Sequence, residues 1–152
     1  MRQERRACMP DTFLDKDTPA NRFARAREAQ AAALLEDYVE MIGDLTAELG
    51  EARVADIAER MNVSQPTATK SIARLKREGL ATSRPYRGVF LTDEGARLAD
   101  RVRARHRTVV AFLVRMGVPE EIAELDAEGI EHHVSQVTLS AFEAVLKGED
   151  PA

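Results

Sequence analysis

The stretch that decides the fold is residues 54–91, VADIAERMNVSQPTATKSIARLKREGLATSRPYRGVFL. It predicts a short helix over 54–61, a three-residue turn, a second helix, and then two short strands joined by a turn at 85–88. Ser64 is a good N-cap for the second helix, and Pro66 falls in its first turn, where a missing N–H costs nothing. A helix, a tight turn, a second helix and a β-hairpin, in that order, are typical of a winged helix-turn-helix.

The flanks of this unit are predicted to be helical. Apolar residues at spacings of three and four indicate a long helix over 23–49 before it, and Thr92 is a suitable N-cap for a helix after the hairpin. Two further helices are predicted over 119–133 and 135–147. The expected fold is therefore mainly α: an N-terminal winged helix-turn-helix with a two-strand wing, followed by a helical domain.

The predicted boundaries divide the chain into four segments. Residues 1–22 carry charges and prolines without periodicity and are expected to form a flexible leader. Residues 23–97 are expected to form the winged-helix DNA-binding domain, and residues 98–147 the helical domain. A short tail, 148–152, ends the sequence.

The composition excludes several classes of protein. Of the 152 residues, 44% are hydrophobic and 32% are charged, as in a globular domain rather than a disordered chain. No apolar run approaches about 18 residues, so neither a transmembrane helix nor a membrane partner is expected. The N-terminus lacks the apolar region of a secretory signal, and the single cysteine, Cys8, cannot form an internal disulfide. A cytoplasmic protein is expected.

The net charge of −4 conceals a strongly basic block. Residues 65–116 contain twelve Lys and Arg against four Asp and Glu, whereas the segments on either side, 31–64 and 117–152, are acidic. Because the basic block coincides with the second helix and the hairpin, the charge pattern favours nucleic acid as a partner. A solvated basic face is the alternative interpretation.

The second helix presents polar side chains at its outward N-terminal positions. Such side chains can reach base edges and phosphates in the major groove, and arginines on a hairpin tip suit phosphate or the minor groove. The candidate DNA-binding residues are Gln65, Thr67, Thr69, Lys70, Arg74, Arg84 and Arg87. Winged helices also mediate protein contacts, so a protein-binding module is the alternative.

The acidic flanks contain side chains that suit a metal ion. Residues at i and i+3, or i and i+4, project from one side of a helix. The candidate ligands are Asp37 and Glu40 on the first helix, His106 on the helix after the hairpin, and Glu128, Glu131 and His132 on a later helix. Four carboxylates and two imidazoles without a thiolate suit Mn2+ or Fe2+ better than a structural zinc site.

The same residues leave other interpretations open. Solvated helix faces commonly show acids three residues apart, and carboxylate-rich dimetal sites catalyse hydrolysis and oxygen chemistry. The Glu-x-x-His pairs of di-iron bundles are missing from the sequence, and so is a Gly-rich phosphate loop. A metal-controlled DNA-binding regulator, a metal-independent winged-helix regulator and a carboxylate-bridged dimetal enzyme are all compatible with these residues.

Five motifs, in order, resemble the diphtheria-toxin-repressor family, and most closely its manganese-responsive branch. They are LEDYVEMIGDL, the helix-turn-helix VADIAERMNVSQPTATKSIARLKREGL, the wing RPYRGVFLTDEG, RARH and DAEGIEHHVS, within about residues 30–147. The resemblance implies a homodimeric, Mn2+-activated transcriptional repressor of manganese uptake genes. Such a regulator is not an enzyme; it binds double-stranded operator DNA and dimerises through its helical domain. The resemblance also implies that the six candidate ligands hold two Mn2+ per protomer.

The ligand types distinguish manganese from iron within this family. By the resemblance, the iron-responsive members carry Met at the position of Asp37 and Cys at the position of Glu128. The chain has a hard oxygen ligand at both positions, which favours Mn2+. An Fe2+-responsive regulator of the same family is the alternative.

Overall fold

The structure, a computed structural model, describes residues 18–149 as six helices and one two-stranded sheet. In chain order the elements are α1 (Pro19–Leu49), α2 (Val54–Arg60), α3 (Gln65–Arg77), β1 (Ala81–Ser83), β2 (Val89–Leu91), α4 (Asp93–Arg115), α5 (Glu120–Ile130) and α6 (Gln136–Lys147). The predicted class, mainly α with a winged helix-turn-helix followed by helices, is confirmed. Most of the predicted leader, residues 1–17, and the end of the tail, residues 150–152, lie outside the described residues.

The long first helix begins before its apolar pattern does. α1 starts at Pro19, so residues 19–22, which the sequence assigned to a flexible leader, are helical. The Thr18 hydroxyl accepts a hydrogen bond from the Asn21 backbone N–H at 3.3 Å, and Pro19 occupies the first turn. The predicted start at residue 23 was therefore four residues late, because the apolar stripe does not extend to the capping residue.

The core of the DNA-binding half lies between α1, α2 and α3. Its largest fully buried side chains include Tyr38, Ile42, Leu45, Ile57 and Leu75. Spacings of three and four place the α1 members on one face of that helix, and burial of each large apolar side chain contributes about 1.5–3 kcal/mol. The predicted N-cap of α3 is also present, since the Ser64 hydroxyl accepts a hydrogen bond from the Thr67 backbone N–H at 3.3 Å.

The wing is an antiparallel pair of strands attached to the body by a third segment. β1 and β2 pair with Ala81 opposite Leu91, and Ala52 forms an isolated antiparallel bridge to Val89. Gly88 lies so close to this bridge that a Cβ there would be 2.4 Å from the Ala52 carbonyl oxygen. The base of the wing is therefore held on the connection between α1 and α2.

α4 connects the two halves of the molecule. Its 23 residues extend over about 35 Å, and it packs against α1, α5 and α6. A second apolar cluster contains Val109, Ala127 and Leu139, and the rings of Phe112 and Phe142 stack with centroids 3.9 Å apart. Among the helices of residues 18–149, none has the length and hydropathy needed to cross a bilayer.

Gly95, in the first turn of α4, has no room for a methyl group. A Cβ at this position would lie 2.0 Å from the Leu80 carbonyl oxygen. Gly to Ala in a helix normally stabilises by about 1 kcal/mol, but overpacking costs about 1–3 kcal/mol. We therefore expect Gly95→Ala to lower the free energy of unfolding by about 2 kcal/mol in urea denaturation of the metal-free protein.

The matched control for this substitution is Gly129→Ala in α5. Within residues 18–149, and apart from its chain neighbours and its own helix backbone, no atom lies within 4 Å of the Cβ position at Gly129, so this change is expected to raise the free energy of unfolding. Equal effects of the two substitutions would contradict the close approach of Gly95 to the Leu80 carbonyl oxygen.

Candidate metal centre and nucleic-acid interface

The six candidate ligands lie where the two halves of the molecule meet. They are Asp37 and Glu40 on α1, His106 on α4, Glu128 on α5, and Glu131 and His132 directly after it. α5 ends at Ile130 rather than at the predicted residue 133, and the turn that follows directs the last two side chains towards α1 and α4. The group therefore combines side chains of the DNA-binding half with side chains of the helical half.

Glu131 is the centre of this group. Its side chain is 1% exposed, and within residues 18–149 it is the only charged residue that is fully buried. Its Oε2 lies 2.5 Å from His106 Nδ1, and its Oε1 lies 3.3 Å from His132 Nε2. Burial raises the pKa of Glu131, although both histidines oppose that shift. A carboxylate in this position needs positive partners, and here the imidazoles provide them.

His106, Glu128 and Glu131 form a close set of donors. One ligand atom from each lies within 4.8 Å of the others. Octahedral ligands at about 2.1 Å from a cation are about 3.0 Å apart when adjacent and about 4.2 Å apart when opposite. Shifts of about 1 Å thus bring these three donors into one coordination shell. Two carboxylates and an imidazole suit a hard or borderline divalent cation.

The other three candidates adjoin this set. His132 Nε2 lies 2.9 Å from Asp37 Oδ1, and Asp37, Glu40 and Glu128 line one cavity of about 590 Å3. Glu40 Oε1 lies 3.9 Å from Arg103 Nε, and burial raises the pKa of Glu40 above the usual value. The structure thus brings all six candidates into one contiguous group but gathers only three of them closely.

The surrounding carboxylates favour the protonated form of both histidines. Hydrogen bonds to Asp37 and Glu36 raise the pKa of His132 to about 10, against the effect of burial. Burial lowers the pKa of His106, but hydrogen bonds to two carboxylates outweigh it and raise the pKa above the usual value. Each imidazole therefore supplies a positive charge that a divalent cation would replace, so the residues present fit such a cation.

Four charged residues of the site were not among the sequence candidates. They are Glu36, Arg103, Arg105 and Glu124, which contact the candidate ligands or their neighbours. Glu124 did carry a signal, because it lies four residues before Glu128 on the same helix face. Arg103 and Arg105 carried no such signal in the sequence. They lie among several other arginines of one helix, a pattern that is typical of a solvated face.

α3 presents most of the predicted DNA-binding side chains to solvent. Gln65, Thr69 and Lys70 are exposed in its N-terminal half. The Thr67 hydroxyl shares a hydrogen bond of 2.8 Å with Ser64 Oγ, so part of its hydrogen-bonding capacity serves the helix cap. The polar N-terminal face of α3 is therefore exposed to solvent, and its contact with nucleic acid stays a prediction.

The arginines of the predicted interface are held by neighbouring side chains. Arg74 is half-buried, and its Nε donates to Glu78 Oε1 at 3.0 Å. The guanidinium carbons of Arg84 and Arg87 lie 5.0 Å and 5.6 Å from the centroid of the Phe90 ring, distances typical of a cation–π contact. The two wing arginines are thus positioned near the tip of the hairpin, whereas Arg74 pairs with the residue that caps α3 and also donates to the Ala31 carbonyl oxygen on α1.

Lys70→Ala is expected to weaken binding of duplex DNA about fivefold at about 0.15 M salt, because one phosphate contact and its released counterion are lost. The slope of log K against log salt concentration is expected to decrease by about 1. Fluorescence anisotropy across a salt series measures both quantities. Lys147→Ala, an exposed lysine on α6, is the control, and an unchanged slope for Lys70→Ala would remove Lys70 from the interface.

Both halves of the chain match known families. Residues 32–89 match a family described as iron dependent repressor, N-terminal DNA binding domain. Residues 92–150 match a family described as iron dependent repressor, metal binding and dimerisation domain. The first match ends at Val89, the first residue of β2, and the second begins at Thr92, the N-cap of α4.

Individual proteins show the same similarity. The chain is 54% identical over 120 residues to the transcriptional regulator MntR of Escherichia coli O157:H7, covering 79% of this chain and 77% of that protein. It is 42% identical over 101 residues to the HTH-type transcriptional regulator MntR of Geobacillus kaustophilus, covering 66% of this chain and 72% of that protein. A solved manganese-dependent transcriptional repressor in complex with manganese has a TM-score of 0.63 at 33% identity, covering 74% of this chain. The match spans about half of that repressor, 52% of its length.

Proposed function

Because the chain belongs to the iron-dependent repressor family, we propose that it is a transcriptional repressor whose DNA binding is activated by Mn2+. It is a regulator and not an enzyme, since the family and these relatives are transcriptional regulators. The observation that carries the metal-activated switch is the position of the ligand group. Asp37 on α1, in the DNA-binding half, contacts His132 of the helical half at 2.9 Å, and His132 in turn lies 3.3 Å from Glu131.

The charges of this cluster support control of DNA binding by a cation. In the metal-free protein, carboxylates from α1 and α5 are balanced by protonated imidazoles and by Arg103, whose Nη2 lies 2.6 Å from Asp44 Oδ1. A bound divalent cation supplies the positive charge that joins the carboxylates of the two halves. With the DNA-binding half of each chain fixed against its helical half, the two DNA-binding halves of a dimer are held at one distance from each other. At that distance both fit successive major grooves. α3 itself needs no rearrangement.

Two Mn2+ per protomer are the proposed stoichiometry. Glu131 contacts His106 through Oε2 and His132 through Oε1. Glu128 lies beside the first histidine and Asp37 beside the second, so the group would supply donors for two ions. Oxygen donors at Asp37 and Glu128 favour Mn2+ over metals that prefer softer ligands. The relatives named as manganese regulators support the same metal. Fe2+ is the alternative within the family.

The proposed partners are double-stranded operator DNA and a second copy of the chain. The family match includes a dimerisation domain. Exposed apolar side chains of the helical half are the proposed contact surface with the second copy, and they are Val114, Met116, Ile122, Leu125, Val137 and Leu146.

Manganese uptake genes are the proposed targets. A repressor that Mn2+ activates keeps the cellular Mn2+ concentration steady when it represses the genes for Mn2+ entry. Such a repressor works in the cytoplasm.

Capture of genomic DNA fragments by the purified protein tests this function. The protein is incubated with Mn2+, with Fe2+ under anaerobic conditions, or with EDTA, and the bound fragments are sequenced. We expect a few promoter fragments to be captured in the incubation with Mn2+ and in neither of the others. Equal capture in EDTA would indicate a metal-independent regulator, and capture only with Fe2+ would indicate an iron-responsive one.

The captured operator then allows a test of reciprocity. If Mn2+ raises operator affinity by a given factor, the operator must raise Mn2+ affinity by the same factor, typically about 5- to 150-fold. Isothermal titration calorimetry with Mn2+ measures the Mn2+ affinity in the presence and in the absence of operator. Equal Mn2+ affinity in the two titrations would contradict the switch.

A further inference from the structure

Each ring nitrogen of His106 faces a different carboxylate. His106 Nδ1 points into the metal cluster, 2.5 Å from Glu131 Oε2 and 3.8 Å from Glu128 Oε1. His106 Nε2 points away from that cluster and lies 2.8 Å from Glu124 Oε2. Glu124 stands one helical turn before Glu128 on α5 and is not among the candidate ligands.

His132 repeats this arrangement with its nitrogens exchanged. Its Nε2 faces the cluster, 2.9 Å from Asp37 Oδ1 and 3.3 Å from Glu131 Oε1. Its Nδ1 lies 2.7 Å from Glu36 Oε2, and the other oxygen of Glu36 lies 2.7 Å from Arg105 Nη2. The two histidines therefore share one design, in which one nitrogen meets the cluster and the other meets a carboxylate outside it.

We propose that Glu36 and Glu124 are positioning residues that determine which nitrogen of each histidine binds the metal. Glu124 accepts the Nε2–H of His106, which leaves Nδ1 to bind, and Glu36 accepts the Nδ1–H of His132, which leaves Nε2 to bind. A carboxylate on the distal N–H fixes the tautomer and the ring plane, and it makes the ligating nitrogen more basic. The inference rests on the proposed metal-activated function.

The two positioning residues differ in how firmly their side chains are held. The Glu36 side chain is 17% exposed and is paired with Arg105, whose side chain is 18% exposed, so Glu36 is held on both of its oxygens. The Glu124 side chain is 53% exposed and has only the contact with His106 in the described part of the chain. Water can replace an exposed acceptor more easily than a half-buried one. The larger effect is therefore expected at Glu36.

Mn2+ affinities of matched variants test the proposal. Loss of the electron paramagnetic resonance signal of aquated Mn2+ measures binding to the full chain. Glu36→Gln is expected to lower Mn2+ affinity about 10- to 100-fold, and Glu124→Gln about tenfold. The controls make the same change on the same helices, at exposed Glu28 on α1 and exposed Glu121 on α5, and they are expected to bind like the wild type. Glu36→Asp, which keeps the carboxylate, is expected to recover part of the affinity.

A spectroscopic signature separates positioning from a general loss of structure. In the Cd2+-loaded protein with 15N-labelled histidine, we expect cadmium coupling to Nδ1 of His106 and to Nε2 of His132. In Glu36→Gln only the His132 signals are expected to change, and in Glu124→Gln only those of His106. Coupling to the opposite nitrogens, or Mn2+ affinities equal to those of the controls, would overturn the proposal while leaving the metal switch intact. A wild-type protein that binds no Mn2+ would overturn the switch, and the positioning with it.

Discussion

Glu131→Gln is expected to abolish metal-activated DNA binding. Glu131 is fully buried and contacts both imidazoles of the cluster, at 2.5 Å from His106 Nδ1 and 3.3 Å from His132 Nε2. The amide keeps the shape of the side chain but removes the negative charge on which the cluster depends. Loss of a residue that only supports a ligand costs about 10- to 100-fold in metal affinity, so loss of the central carboxylate is expected to cost at least about 100-fold. Operator binding then falls to its level in EDTA.

Two titrations measure this result: Mn2+ binding by electron paramagnetic resonance, and operator binding by fluorescence anisotropy with and without Mn2+. Glu121→Gln makes the same change at an exposed position of α5 and is the control. Circular dichroism of the metal-free variant distinguishes a lost metal centre from a lost fold. A Glu131→Gln variant that responds to Mn2+ at the wild-type concentration would remove Glu131 from the metal centre.

The fold could be predicted where local signals agree with apolar periodicity. Ser64 caps α3 and Thr92 caps α4, each through a hydrogen bond from the backbone N–H three residues later, and the predicted turn at 85–88 lies between β1 and β2. The ends of the helices were harder to predict from the sequence. α5 ends at Ile130, three residues before the predicted end, although the Glu131 backbone N–H still donates to the Ala127 carbonyl oxygen as in a helix.

Contacts within the metal centre could not be predicted in the same way. Glu36 and Asp37 are consecutive acids on one helix, and their spacing does not indicate which of them faces a histidine. In the structure both contact His132, through its two different nitrogens. Arg105 lies in an arginine-rich helix that resembles a solvated face, yet it pairs with Glu36. Residue types indicate the class of metal, whereas the packing of α1 and α5 against α4 determines which side chains contact the two histidines.

Leu125→Glu is expected to produce a monomer and to lower operator affinity by about two orders of magnitude or more. Leu125 is 71% exposed on α5, three residues after the half-exposed Ile122, so the two form an apolar stripe, while Ala123 and Ala127 pack inward. In the domain matched to a dimerisation family, this stripe is suited to contact with a second copy. A glutamate buried there without a partner opposes association. A monomer binds one half-site and loses the gain of about 100- to 10,000-fold that two linked modules provide.

Sedimentation velocity and operator titration test this prediction, with Leu49→Glu as the matched control. Leu49 is also exposed, at 58%, but lies at the end of α1 in the DNA-binding half, so its variant is expected to remain a dimer. Mn2+ binding is expected to persist in Leu125→Glu, because the substitution leaves all six candidate ligands unchanged. Retained Mn2+ binding with lost operator binding would separate dimerisation from metal sensing on a single helix. A Leu125→Glu dimer with wild-type operator affinity would place the interface on another surface.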